Sequence, residues 1–190
     1  MAYPMILALD SSGTPNRWIS WQESAIYVAK ELVDWSLGEI TFTFHGGKSR
    51  MTGETSTITT ASIIAVKGKP SRRNMFRPVG LTNKALFRRD KNICAYCGQT
   101  FFDSELTRDH ITPVSRGGRD VWMNVTTACK RCNHAKGNQH LHSLGWELLY
   151  VPYAPCRYEG LILNNKKVLA DQMEFLASHI KNKDSRWVLQ

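Results

Sequence analysis

The sequence predicts an α+β chain in three parts: a small N-terminal α+β unit, a central motif framed by cysteines, and a C-terminal strand followed by a helix. Three observations carry that expectation. In the first third, apolar residues at helical spacing give way to β-branched runs. In the middle stand two C-x-x-C pairs, and near the end a proline-broken apolar run precedes an amphipathic segment.

The first element is SWQESAIYVAKELVDWSLG (20–38). Ser20 is followed three residues later by Glu23, the pairing of a capping box. Trp21, Ala25, Val28, Leu32 and Trp35 then recur at helical spacing, and Gly38 suits the stop, so one helix is expected across the stretch. ITFTFHGG and STITTASIIAV alternate or cluster β-branched residues and read as strands. These elements make up residues 1–68, whose Trp and Ile stripes read as core; a role in DNA binding or interaction is open. Gly68 and Pro70 mark the boundary to a basic connecting segment, 69–90. Residues 91–140 hold the central motif. In 141–190, WELLYVPYAP reads as an edge or short strand because prolines interrupt it, and NNKKVLADQMEFLASHI as a helix with Leu169, Met173, Leu176 and Ile180 on one face.

With 190 residues, 42% of them hydrophobic, the chain can bury one medium core or two small ones. No stretch approaches the roughly 18 consecutive apolar residues of a membrane span. The start, MAYPMILALD, lacks a basic n-region, so a reducing cytoplasm is the expected setting. The net charge of +9 is concentrated: residues 1–66 carry four Lys/Arg against six Asp/Glu, whereas 67–140 carry fifteen against five. Charge alone leaves the run KGKPSRRNMFRPVGLTNKALFRRDK (67–91) open between a solvated linker and a contact for a polyanion.

Cys94 and Cys97 form one C-x-x-C and Cys129 and Cys132 another, with 31 residues between the pairs. One pair alone could be redox-active or accidental. Two pairs point to four thiolates around one tetrahedral structural zinc. Such a site has no open coordination position, so it holds structure and performs no chemistry. Cys156 is left over and reads as an apolar side chain rather than a ligand. What the knot frames is Asp109 and His110 in a β-like LTRDHI, a turn in SRGGRD, Asn124, and a helix from about Cys129 to Lys136 closed by Gly137. That helix carries Asn133 directly after the last cysteine.

Together CAYC, RDHITPVSRGG, Asn124 and CKRCNHAKGN make the stretch from about Cys94 to Asn138 resemble the HNH endonucleases of the ββα-metal class, in the version where two C-x-x-C pairs bind a zinc. The flanks, about 5–67 and 143–180, resemble the extensions of a common bacterial HNH group less distinctively. Asn133 stands where the last His of the motif name would be, an H-N-N variant; a one-residue shift would put His134 there. The resemblance implies a metal-dependent endonuclease acting on DNA. His110 would activate water, and its near-neutral intrinsic pKa suits a base at pH 7. Asp109 and Asn133 would offer hard oxygen ligands to Mg²⁺ or Mn²⁺, and Asn124 would orient His110. Because adjacent strand residues face opposite ways, a bend or bulge at Asp109 and His110 is also implied. Arg72, Arg73, Arg88, Arg89, Arg108, Arg116, Arg119, Lys130, Arg131 and Lys136 are the candidate phosphate contacts. An idle zinc-knot binding module and an RNA-directed nuclease are the rival readings of the same residues.

Overall fold

Ile6–Asp10 carries four consecutive buried apolar residues and forms β1, an inner strand covered on both faces. In the computed structural model, described for residues 3–68, 79–165 and 167–187, the chain divides into two units. One holds the described residues up to 68 together with the described part of Asn164–His179; the other holds residues 79–163 and 180–187.

In the first unit β1 is followed by β2 (Pro15–Ile19), α1 (Trp21–Ala29), β3 (Val33–Lys48) and β4 (Thr55–Val66). The sheet order is β2-β1-β4-β3, antiparallel except for the parallel β1–β4 pair. The β1–β2 turn is closed by Asp10, whose Oδ1 accepts from the Ser12 and Thr14 backbone N–H groups at 3.0 Å each. Ser20 caps α1 by accepting from the Glu23 N–H at 3.2 Å, as the sequence suggests. The helix then ends at Ala29, nine residues earlier than Gly38. From Val33 the chain is strand, because pairing with β4 from Val33↔Val66 onward satisfies the backbone and outweighs the continued helical spacing. Ile6, Ala8, Ile19 and Ile64 form the core, with Trp21, Tyr27, Val33, Phe42 and Val66 packed on it.

The expected 17-residue C-terminal helix, 164–180, is shorter, α6 (Ala170–Ser178), and a separate helix, α5 (Arg157–Asn164), precedes it. Helix α6 packs with the first unit. Its Gln172 is buried and donates to the Met5 and Ser62 carbonyls at 3.0 and 2.8 Å.

The second unit contains α2 (Asn83–Arg89), β5 (Leu106–His110), β6 (Val125–Cys129), α3 (Lys130–Lys136), the short α4 (Leu141–Leu144) and α5. Strands β5 and β6 pair antiparallel, with Leu106↔Cys129 and His110↔Val125 at the ends. Helix α2 is capped by Thr82, whose hydroxyl accepts from the Ala85 N–H at 3.1 Å. Its Leu86 and Phe87 pack on Leu106 and Val125, so the C-terminal end of the basic run is core rather than plain linker. Arg72 and Arg73 lie outside the described residues.

WELLYVPYAP forms no strand. Pro152 and Pro155 remove backbone donors, and the segment attaches through single bonds: the Leu149 N–H to the Ala95 carbonyl at 3.0 Å, and the Tyr150 hydroxyl to the Ile93 carbonyl at 2.9 Å.

Candidate nuclease site

The cysteine frame is local in origin. A bridge between Ile93 and Thr100 closes the loop that carries Cys94 and Cys97, and the Gly98 N–H donates to the Cys94 carbonyl at 2.9 Å. Cys129 ends β6 and caps α3, its sulfur accepting from the Cys132 N–H at 3.4 Å. The four sulfurs all lie within 4.8 Å of one another. Burial opposes ionisation of Cys94, but the N–H groups of Cys129, Cys97 and Tyr96 outweigh it and hold that thiol below its usual value. Cys97 and Cys132 are pushed up, first by burial. Cys156 is not one of the four.

Alternation along β5 sorts the neighbouring side chains. Thr107 and Asp109 face α3: the Asn133 amide donates to the Thr107 hydroxyl at 2.8 Å, and the Lys136 ammonium to Asp109 Oδ1 at 3.0 Å. Asp109 Oδ2 accepts from the Tyr96 hydroxyl, and Lys136 also donates to the His110 carbonyl at 2.8 Å. Asp109 and Lys136 are both buried, at 5% and 1% exposure. Burial, followed by the hydrogen bond to Asp109, drives the Tyr96 phenol above its ordinary range.

Arg108 and His110 leave the other face. Both reach Asp120: Arg108 Nη1 donates to Oδ2 at 2.6 Å, and His110 Nε2 lies 2.9 Å from Oδ1. The strand pairing is unbroken from Leu106 to His110. The implied bulge is therefore absent, and the two adjacent residues point apart.

Asn124 braces the loop between the strands. Its Oδ1 accepts from the Thr112 N–H at 2.9 Å, and its Nδ2 donates to the Thr112 and Arg119 carbonyls at 3.1 and 2.9 Å. The turn at Gly117 has φ +86°, and a Cβ on Gly118 would lie 1.8 Å from the Thr112 carbonyl oxygen, so SRGGRD needs both glycines.

Two of the expected phosphate contacts are buried. Arg89 is fully enclosed, paired with Asp90, and bonded to the carbonyls of Trp122, Tyr153 and Val125. Lys136 is committed to Asp109. Their long side chains satisfy buried oxygens, a use that charge patterning does not distinguish from phosphate contact. Arg88 donates to the Leu163 carbonyl and is half-buried, as is Arg108. Arg116, Arg119, Lys130 and Arg131 are exposed. Sequence reasoning missed Tyr96, Thr107 and Asp120. Asp120 had a signal: it is the only carboxylate between Asp109 and Glu147.

Residues 94–149 match the family model of the HNH endonucleases. The matched segment includes all four cysteines, β5, the braced loop, β6 and α3. No curated protein matches the chain. Among the described residues no helix is long and apolar enough to cross a membrane.

Proposed function

We propose that this chain is a divalent-metal-dependent HNH endonuclease that hydrolyses DNA phosphodiester bonds, built on a structural zinc. The observation that carries the reading is the end of β5, inside the segment matching the HNH endonuclease model: His110 half-exposed on one face, Asp109 against α3 on the other, and Asn124 bracing the loop that follows. The succession of β5, β6 and α3 supports the ββα-metal reading of that segment.

The cysteines suit zinc. Bonds of about 2.3 Å to tetrahedral sulfurs put those sulfurs roughly 3.8 Å apart, a spacing compatible with four Sγ atoms within 4.8 Å of one another. Zinc there would tie the Cys94–Cys97 loop to the start of α3 and so fix Asn133 and Lys136 against β5.

A catalytic cation would have to compete for the donors on the α3 side, where Lys136 holds Asp109 Oδ1, the Tyr96 hydroxyl holds Oδ2, and the Asn133 amide is bonded to Thr107. Asp109 and Asn133 supply hard oxygens of the kind Mg²⁺ and Mn²⁺ take. A divalent ion at Asp109 and Asn133 would take the place of the Lys136 ammonium, which the Asp109 carboxylate and the His110 carbonyl now hold. A bound divalent ion would neutralise charge developing on the phosphate oxygens.

The remaining work falls to the chain itself. His110 takes a proton from the attacking water, leaving 5′-phosphate and 3′-hydroxyl products. In-line displacement needs the base and the leaving oxygen on opposite sides of phosphorus. Asp109 and His110 leave opposite faces of β5, so bringing both to one phosphate requires the end of the strand to bend. Exposed Arg116, Arg119, Lys130 and Arg131 supply phosphate contacts that position without reading sequence.

Nicking of supercoiled plasmid by the purified zinc-loaded chain, with Mg²⁺, Mn²⁺ or chelator, tests the proposal. Metal-dependent nicking that His110→Ala abolishes, with DNA affinity retained, is the expected result. Binding without nicking would mark an idle zinc-knot module, and preferential cleavage of competing RNA an RNA-directed nuclease.

A further inference from the structure

We infer that Asp120 is the positioning carboxylate of His110: it accepts the Nε2–H of the ring and so leaves Nδ1 as the proton acceptor. The inference rests on His110 being the base, and it assigns which ring nitrogen works and what makes it so.

The contact is 2.9 Å, between Nε2 and Oδ1. A neutral imidazole has one N–H and one lone pair, and which nitrogen carries the proton is decided by what the ring faces. An ionised carboxylate has only lone pairs to offer, so the nitrogen beside it must be the donor. Asp120 is kept ionised: the hydrogen bond from Arg108, then that from His110, hold its carboxyl below the usual carboxylate range. Arg108 stands two residues before His110 on the same face of β5, so one strand face presents both the cation that fixes the carboxylate and the ring that the carboxylate orients.

Asp120 does not owe its place to His110 alone. Asn124 ties down the carbonyl of Arg119, the preceding residue, at 2.9 Å. It also holds both backbone groups of Thr112, whose carbonyl leaves no room for a side chain at Gly118. The loop thus carries the carboxylate to a position set by its own backbone bonds. Asn124 therefore acts on His110 through Asp120, which gives the orienting role expected of that asparagine a physical route.

The test reads the tautomer and turnover on the full zinc-loaded chain. Long-range ¹H–¹⁵N correlation of the His110 ring should show protonated Nε2 and bare Nδ1 in the wild type. Asp120→Asn, isosteric and able to donate as well as accept, should shift His110 toward the other tautomer. Its kcat for plasmid nicking should fall about 10–100-fold, by analogy with losing the carboxylate that orients a metal-bound imidazole, with KM for DNA unchanged. Asp120→Glu should recover part of the loss. An unchanged tautomer in Asp120→Asn, wild-type kcat, or a change confined to KM would each overturn the inference. His110→Ala separates this from the function itself: wild-type turnover there removes the base assignment, whereas a dead His110→Ala beside a fully active Asp120→Asn removes only the role of Asp120.

Discussion

Replacing Arg89 by methionine should destabilise the second unit rather than weaken DNA binding. The side chain is fully buried and makes five hydrogen bonds: to Asp90 Oδ1 at 2.8 Å and Oδ2 at 3.0 Å, and to the carbonyls of Trp122, Tyr153 and Val125 at 3.0, 2.9 and 3.0 Å. Removing one member of a buried ion pair costs about 3–5 kcal/mol, because the other charge is left without its partner. Arg186 limits the loss, since its Nη1 still donates to Asp90 Oδ1 at 2.9 Å, and so does the Thr127 N–H to Oδ2 at 3.0 Å. The low end, about 3 kcal/mol, is therefore expected, against a total stability of about 5–15 kcal/mol. Hydrogen exchange of the β6 amides, Val125–Cys129, reads this directly: at about 1.4 kcal/mol per decade, protection should fall roughly a hundredfold. A loss under about 1 kcal/mol, with a shallower salt dependence of DNA binding, would refute the reasoning and return Arg89 to the phosphate backbone.

Cys94→Ser or Cys129→Ser should abolish stoichiometric zinc and unfold the matched segment, whereas Cys156→Ser should keep one zinc per chain; elemental analysis with far-ultraviolet dichroism decides. Neutralising exposed Lys130 and Arg131 should make the slope of log affinity against log salt shallower by roughly 0.9 for each true phosphate contact, equally across duplex sequences. Glu23 is held below its ordinary value of 4.5, first by the hydrogen bond from Arg17, so its contribution is present above that value and fades as pH falls through the lowered one. The pair is partly exposed, at 49% and 32%, and double-mutant cycles should give at most about 1 kcal/mol at neutral pH and progressively less on acidification below 4.5.

The cysteine spacing, the Asp109–His110 dipeptide, the SRGGRD turn, Asn124 and the extent of α3 were legible because each is a local pattern with its own chemistry. A helix start was legible at Ser20 for the same reason, since a cap is satisfied within four residues. Its end was not. Whether residues 30–38 continue a helix or join a sheet depends on β4, more than 20 residues further along, and the strand wins by pairing. The C-terminal strand failed in the opposite sense, with β-like composition but no neighbour to pair with.

Arginines and lysines show the same division. The sequence determined that positive charge gathers in the middle third. Only the tertiary structure decided that Arg89 and Lys136 spend theirs on buried carboxylates while Lys130 and Arg131 face solvent. The pairing of His110 with Asp120 is likewise not fixed by the chain, since the nine intervening residues predict a turn but not which side chains it brings together. Short-range chemistry is written in neighbouring residues. Burial and long-range hydrogen bonds are properties of what the fold brings together, and they assign the work of each charged side chain.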